Sequence, residues 1–243
     1  MKVLIVIPSR WKSSRFVGKS LALINKIPMI ERVYKRALQS KQTDDVCVAT
    51  DNKKILNFCK ARKIKVIMTS KKCKTGTDRV YEVSKKINSD IYVNLQGDEP
   101  LIDPKSIDKV ILWHQKNHNF DIVVPSLKVK NIDTPHIVKI VKSNKRVLYF
   151  SRAKIPFPFK KNNDTYLKHL SVISFKPKAL KKFKKLKESH LEKIEGIELM
   201  RALENNMQIG TFELKGDGFS VDTKDDFIKA KKYIVNDQYR KEY

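Results

Sequence analysis

Two adjacent carboxylates, Asp98 and Glu99, stand where an apolar segment gives way to a tight turn. Before them Ile91, Val93 and Leu95 alternate with polar or aromatic residues, which predicts a strand. Ligands of open α/β sheets collect outside the carboxyl ends of the strands, and Mg²⁺ prefers oxygen ligands. The acidic pair therefore suits Mg²⁺ and a polyphosphate. An acidic turn that caps the next helix is the alternative, and the residues alone leave both open.

A basic loop directly follows the first predicted strand, residues 3–7. It carries hydroxyls, a Gly and the cations Arg10, Arg15 and Lys19, together with Ser14. These residue types can surround phosphate oxygens with hydrogen-bond donors. The loop matches neither GxxxxGK[ST] nor GxGxxG, so it is a phosphate-loop candidate without a standard motif. An ordinary basic surface loop is the alternative.

Three more positions have both a chemical and a structural interpretation. The segment TGTDR opens a predicted helix that Thr77 or Asp78 could cap, and Arg79 beside the free N–H groups could hold a nucleotide or a carboxylate. Arg152 ends a predicted strand in a Pro-rich loop, which is either a site cation or an incidental surface charge. Asp222 precedes the final helix and is either a ligand or a simple N-cap.

The elements that must position these residues follow a βαβαβ rhythm. Predicted strands are residues 3–7, 45–50, 66–68, 91–95 and 121–127; predicted helices are 28–40, 51–62 (capped by Asp51), 75–87 and 104–116. This alternation predicts a right-handed, doubly wound, mostly parallel α/β sheet in a single domain spanning residues 1–243. Residues 128–175 form a β-rich excursion with strands at 137–141, 147–150 and 167–175. Helices at 176–187 and 192–205, a strand at 209–214 and the final helix complete the chain.

Composition limits the class of protein. A chain of 243 residues can bury a substantial core, and no apolar run approaches the ~20 residues that span a bilayer, so we expect a cytoplasmic protein without membrane insertion. Cys47, Cys59 and Cys73 are scattered, which favours reduced thiols over a zinc site.

The net charge of +26 raises the possibility of nucleic-acid binding. Only ten of the 52 basic residues are Arg, however, and the Lys residues are spread over the whole chain. The densest run, residues 176–187, places Leu180 and Phe183 on one face of an amphipathic helix surrounded by lysines. A solvated Lys-rich surface is therefore favoured, with no specific nucleic-acid partner.

Nine segments, in their order and spacing, resemble the CMP-Kdo synthetases, the 3-deoxy-manno-octulosonate cytidylyltransferases of bacterial lipopolysaccharide synthesis. They are IPSRWKSSRFVGK (7–19), ATD (49–51), TGTDR (75–79), VNLQGDEP (93–100), VKIV (138–141), YFSRAKIP (149–156), KH (168–169), IEGIELMRALENN (194–206) and SVDTKDDF (220–227). The resemblance implies a nucleotide-binding α/β fold of the nucleotide-diphospho-sugar transferase type with a β-rich dimerisation arm. It also implies a homodimer.

The reaction implied by the resemblance joins CTP to a 2-keto-3-deoxy sugar acid and releases pyrophosphate. Such a transfer needs metal and cations more than an acid or base, and the chain offers Asp, Lys and Arg. Asp98 and Asp222 are the implied Mg²⁺ ligands, and a second metal could lower the pKa of the anomeric hydroxyl.

The remaining roles follow the same resemblance. The residues implied to hold the nucleotide are Arg10, Ser14, Arg15, Lys19, Arg79 and Gln96, of which Arg10 and Lys19 are implied to be catalytic together with Asp98. The sugar side is implied to be lined by Arg152, His169 and Glu198, with His169 a hydrogen-bonding group rather than a base.

The chain departs from the family on the sugar side. Leu199 stands where the family has Gln, residues 168–176 lose a Gly and a Tyr of the family pattern, and SVDTKDD loses the Gly and Pro of GVDTPED. A related acceptor, such as an amino-bearing Kdo or a nine-carbon acid, is therefore an alternative. A basic binding protein on a degenerate transferase fold is the other, although such a protein has no need of Arg10, Lys19, Asp98 and Asp222 together.

Overall fold

The computed structural model describes residues 1–11, 16–130, 134–159, 165–216 and 218–239. The strands are β1 (Val3–Ser9), β2 (Leu23–Ile24), β3 (Ile27–Pro28), β4 (Asp45–Thr50), β5 (Val66–Met68), β6 (Ile91–Leu95), β7 (Ile122–Val123), β8 (Ser126–Lys130), β9 (Lys139–Ser143), β10 (Arg146–Ser151), β11 (Thr165–His169), β12 (Val172–Phe175), β13 (Ile209–Gly210) and β14 (Glu213–Leu214). The helices are α1 (Met29–Leu38), α2 (Lys53–Ala61), α3 (Gly76–Ser84), α4 (Pro104–Lys116), α5 (Pro177–Lys185), α6 (His190–Glu195), α7 (Met200–Glu204) and α8 (Lys224–Tyr233). Short 3-10 turns occupy Lys19–Leu21 and Ile234–Asn236.

A mixed sheet forms the middle layer. Within the described residues its order is β14-β8-β11-β9-β10-β13-β7-β12-β6-β1-β4-β5. The strands β5, β4, β1 and β6 are parallel, as the βαβαβ rhythm predicts, whereas β12 runs antiparallel to β6. The parallel half of the sheet places the carboxyl ends of β1 and β6 side by side.

The sequence of β1 explains why helices cover both faces. Residues 3–7 are all apolar, and alternate side chains enter opposite cores: Leu4 and Val6 pack beneath α3, α5 and α7, and Val3, Ile5 and Ile7 pack beneath α1, α2 and α4. A strand buried on both faces has no polar side to present to water, so it occupies a central position. Among the described residues, no helix is long and apolar enough to cross a membrane.

Residues 126–175 contain the strands β8 to β12, which belong to the large sheet, and the last strand predicted there is divided. Residues 167–175 form the end of β11 and all of β12, because the chain turns at Leu170 and Ser171. Strand β12 then returns to the central sheet between β6 and β7. The predicted strands 121–127 and 209–214 are likewise each divided in two, the first at Pro125, which lacks the N–H that a continuous ladder needs.

Three helix predictions need correction. The N-cap of α2 is Asn52, whose side chain accepts from Lys54 N and Ile55 N, and Asp51 is used elsewhere. The N-cap of α3 is Thr75 in a capping box with Asp78. The predicted helix 192–205 is two helices, because Gly196 adopts the left-handed conformation (φ 62°) and ends α6.

One buried histidine ties α4 to the sheet. His114 is 1% exposed; its Nδ1 lies 2.7 Å from Ser174 Oγ and its Nε2 lies 3.2 Å from the Phe120 carbonyl. Burial lowers the pKa of His114 to about 4. Between pH 6.5 and 4 the unfolded chain therefore takes up a proton that the folded chain does not, and stability falls as the pH falls.

We predict that the stability cost of His114→Gln shrinks in acid. The variant loses the ring contacts at pH 7.5, but it also loses the proton penalty, so the difference in unfolding free energy should narrow by about 2 kcal/mol at pH 4.5. Urea unfolding at both pH values measures it, with the exposed His118→Gln as control. Parallel pH profiles for wild type and His114→Gln would contradict the assignment.

Candidate functional site

A cavity of about 390 Å³ lies at the carboxyl ends of β1 and β6. It is lined by Arg10, Lys19, Arg79, Gln96 and Asp98, among others. Arg10 is exposed at its mouth. This first cavity gathers most of the nucleotide-side residues predicted from the sequence, whereas Ser14 and Arg15 lie outside the described residues.

Lys19 and Asp98 form the centre of the first cavity. Lys19 Nζ lies 2.7 Å from Asp98 Oδ2 and also donates to the Val221 carbonyl at 2.8 Å. The Val221 N–H in turn donates to the Asp98 carbonyl at 2.9 Å. Three segments distant in sequence are thus joined where the parallel strands end. Both side chains remain partly accessible, at 14% and 24%, so they can exchange partners when an anion or cation enters.

Asp222 stands beside this ion pair and lines the same cavity. It is not the N-cap of α8, a role that belongs to Thr223. Among the described residues, no group of three or more His, Cys, Asp or Glu side chains could hold a metal alone. Mg²⁺ commonly takes one or two carboxylates and completes its shell with water and substrate phosphates. The pair Asp98 and Asp222 fits that donor set.

Glu99 does not join the pair that the sequence suggested. It is 6% exposed and lines neither this cavity nor the neighbouring one. Burial, with the charge of Asp98 adding to it, raises the pKa of Glu99 to about 8. The acidic side chains that line this cavity beside Asp98 are instead Glu198 and Asp222, which come from distant parts of the chain.

Arg79 is buried in the wall of the cavity, and its guanidinium is bound to protein groups. It is 4% exposed, and its guanidinium donates to Asp51 Oδ2 at 3.0 Å and to Thr69 Oγ1 at 2.8 Å. This buried charge is satisfied before any ligand arrives. Asp51 was predicted to cap α2; its position directly after β4, at the edge of the sheet where the cavity lies, is the signal that would have indicated its role.

A second cavity of about 230 Å³ adjoins the first. The two share the wall formed by Gln96, Asp98, Gly196, Glu198 and Asp222. The second cavity also contains Arg152 and His169, so it brings together the residues predicted for the sugar side.

Arg152 and His169 have distinct environments. The Arg152 guanidinium donates to the carbonyls of Pro135 and Glu195 at 2.7 Å each and to that of Gly196 at 3.3 Å. Burial lowers the pKa of His169 to about 4, so the ring is neutral near pH 7. A neutral ring can form hydrogen bonds, and the predicted choice between a hydrogen-bonding group and a base stays a prediction.

Glu198 connects the two cavities. Its Oε1 accepts from the Thr77 hydroxyl near the start of α3, and burial raises its pKa while that hydrogen bond opposes the shift. Thr77 was missed as a site residue because a Thr at a helix start is usually a cap. Gly76 also contributes, since a Cβ there would lie 3.3 Å from Gln96 Nε2. Leu199 lines the second cavity but is 1% exposed and packs in the core.

Comparison with known proteins places this geometry in a family. The Cytidylyltransferase family model matches residues 4–209. A protein of Thermodesulfovibrio yellowstonii named 3-deoxy-manno-octulosonate cytidylyltransferase is 41% identical, covering 96% of this chain and 98% of its own. A Rickettsia akari protein of the same name is 42% identical over 96% of both chains.

Solved structures show the same fold. A CMP:2-keto-3-deoxy-manno-octonic acid synthetase complexed with CTP superposes with a TM-score of 0.91 at 35% identity, covering 97% of this chain and 99% of that one. A putative glucose-1-phosphate thymidylyltransferase from Bacillus anthracis superposes with a TM-score of 0.69 at 15% identity, which is a likeness of fold alone.

We predict that Asp51→Asn lowers the free energy of unfolding by about 3 kcal/mol, because it leaves the buried Arg79 without its counter-ion. The matched control is Asp45→Asn, whose partner Lys65 is 46% exposed; it should cost less than about 1 kcal/mol. Urea unfolding at pH 7 measures both. Equal, small losses would show that Asp51 does not hold Arg79 in the wall.

Proposed function

The chain belongs to the cytidylyltransferase family, and on that premise we propose that it transfers CMP from CTP to the anomeric hydroxyl of a 2-keto-3-deoxy sugar acid and releases pyrophosphate. The acceptor we propose is 3-deoxy-manno-octulosonate (Kdo), in accordance with the names of the relatives, and the product would serve lipopolysaccharide synthesis. The enzyme is a nucleotidyltransferase.

The observation that carries this proposal is the shared wall of the two cavities. One cavity is lined by cations and by the start of α3 at Gly76, which suits a nucleoside triphosphate. The other contains Arg152, a neutral His169 and a buried carboxyl, which suits a polyhydroxylated acid. Asp98 and Asp222 lie in the wall between them. An acceptor hydroxyl in the second cavity would thus face the α-phosphorus of CTP in the first, as a single in-line displacement needs.

Within this proposal Arg10 and Lys19 bind the triphosphate and offset the charge that develops on pyrophosphate. Ser14 remains a predicted triphosphate ligand and Arg15 a predicted helper. Lys19 exchanges its contact with Asp98 for a phosphate oxygen. When bound by Asp98 and Asp222, Mg²⁺ would supply electrostatic stabilisation of the transferred phosphoryl group.

Arg152, His169 and Glu198 would hold the acceptor. Arg152 fixes the loop carbonyls around the second cavity and adds positive charge near the sugar carboxylate. The neutral ring of His169 can donate one hydrogen bond and accept another. Gln96 lines both cavities and can contact either substrate.

We also propose that the enzyme is a cytoplasmic homodimer. Phe157 and Phe159, in the predicted β-rich excursion of residues 128–175, are 79% and 91% exposed. Such exposure of large apolar side chains favours burial against a second copy. Sedimentation velocity of the wild type and of Phe159→Ser tests this assembly; a monomeric wild type would overturn it.

The metal assignment predicts that Asp98→Asn and Asp222→Asn each reduce pyrophosphate release from CTP and Kdo by at least about 1000-fold, because each replaces an anionic Mg²⁺ ligand with a neutral amide. Circular dichroism should show an intact fold. The exposed Asp225→Asn is the control and should keep its activity. Full turnover with an unchanged Mg²⁺ requirement in either site variant would contradict the assignment.

We predict that Leu199 makes the enzyme less specific for its sugar-acid acceptor. With Leu in place of a hydrogen-bonding Gln, we expect kcat/KM for Kdo to lie within about tenfold of the values for amino-bearing and nine-carbon acids, since one unpaired polar contact is worth about 1 to 3 kcal/mol. Leu199→Gln should widen the preference for Kdo, and Leu199→Met should not. If wild type already prefers Kdo by a wide margin and Leu199→Gln changes nothing, the altered-pocket hypothesis is wrong and plain Kdo specificity stands.

A further inference from the structure

The segment that carries Asp222 is bound at Val221 and continues directly into α8. Val221 is fully buried and is bound by the Asp98 carbonyl and by Lys19, as described above. On its other side the chain enters α8 at Thr223. The Asp222 N–H donates to Asp226 Oδ2 in the first turn of α8 at 3.2 Å, so the placement of α8 contributes to the placement of Asp222.

Helix α8 is held by few apolar side chains; besides Ala230, Phe227 packs edge-on against Phe16 and Tyr233 against Phe219. Among its residues only Ala230 is fully buried, and much of the rest of the helix faces solvent. It packs in a small core that is separate from the two large cores and whose buried members are Ile24, Met29, Val221, Ala230 and Ile234. Asn25 adds one hydrogen bond to the Lys231 carbonyl at 3.1 Å. So small a core leaves the placement of α8 sensitive to contacts beyond the helix.

Such contacts are made just after α8. Asp237 forms an ion pair with Arg36 of α1, and the two side chains are 8% and 1% exposed. The Arg36 guanidinium also donates to the Ile102 carbonyl at 2.8 Å and lies 5.0 Å from the ring centroid of Tyr239. The Tyr239 hydroxyl donates to Asp103 Oδ1 at 2.9 Å. We call Arg36, Asp237 and Tyr239 the clasp.

The clasp contacts the turn that follows β6, which carries Asp98, the other candidate metal ligand. Ile102 and Asp103 follow Asp98 within a few residues, and Asp103 is the N-cap of α4. The segment from Val221 to Tyr239 is thus attached to this turn twice, at Asp98 before α8 and at Ile102 and Asp103 after it. Asp98 and Asp222 are therefore positioned relative to the same turn.

We propose that the clasp is a positioning device that holds Asp222 opposite Asp98, with Asp237 and Tyr239 as positioning residues. Without it α8 samples further positions, and Asp222 spends less time where it can act with Asp98. The apparent affinity for a ligand that needs both groups falls in proportion to the competent fraction. The activity readout rests on the proposed function, whereas the dynamic readout below does not.

The test compares Asp237→Asn and Tyr239→Phe with the exposed neighbour Gln238→Ala. In the ligand-free proteins, hydrogen–deuterium exchange across residues 219–223 should rise at least about fivefold in the two clasp variants, while exchange in β1 stays unchanged. Asp237→Glu, which keeps the anion, should stay close to wild type. In pyrophosphate release, the Mg²⁺ concentration for half-maximal rate should rise about fivefold to tenfold with kcat at saturating Mg²⁺ within about twofold of wild type.

Unchanged exchange at residues 219–223 would overturn the positioning role, and so would a uniform rise that includes β1, because that pattern indicates general destabilisation. A loss of kcat that excess Mg²⁺ does not restore would also contradict it. An inactive wild type that still shows the local exchange effect would leave the clasp intact and remove the proposed function instead.

Discussion

The parallel pairing of β1 with β6 is the constraint on which the site depends. Its register, with Val6 opposite Asn94, ends both strands at one edge, so Lys19 and Asp98 meet although 79 residues separate them. The turn after β6 passes close to β1: a Cβ at Gly97 would lie 3.1 Å from the Pro8 carbonyl. A larger residue there would force the Pro8 carbonyl to shift by a few tenths of an ångström. The apolar burial of β1 on both faces stabilises the edge that presents the chemistry.

The buried cations near the site are already paired with oxygen atoms of the protein. Few cationic side chains are therefore left to bind substrate. Arg79 is paired with Asp51, and the buried Lys139 donates to the carbonyls of Thr134, Ile137 and Arg152 around the second cavity. An unpaired buried charge would cost several kcal/mol, so these contacts set the cavity walls before ligand binds. Lys19 is held by its ion pair with Asp98 but is partly accessible, so its ammonium group can bind a phosphate oxygen instead. Preorganised charge of this kind is what phosphoryl-type transfer requires.

Periodicity and turn residues were enough to predict the parallel half of the fold, because β1, β4, β6 and α4 have strong local patterns. They failed where a single residue interrupts a pattern, as Gly196 does between α6 and α7. Most residues named from the sequence motifs line one of the two cavities, and Ser14 and Arg15 lie outside the described residues. What they could not predict is which polar groups pair with each other: Asp51 was assigned to a cap, and Glu99 was grouped with Asp98 although it is buried. Those choices depend on contacts between segments far apart in the chain, which no local pattern encodes.

In the proposed reaction the acceptor in the second cavity attacks the α-phosphorus of CTP in the first directly, across the wall that contains Asp98 and Asp222. The stereochemical course at that phosphorus tests this claim most directly. With CTP carrying sulfur at the α-phosphorus in one configuration, a single in-line displacement predicts a CMP-sugar product of inverted configuration. Retention would require two displacements through a nucleotide attached to the enzyme, and it would contradict the account.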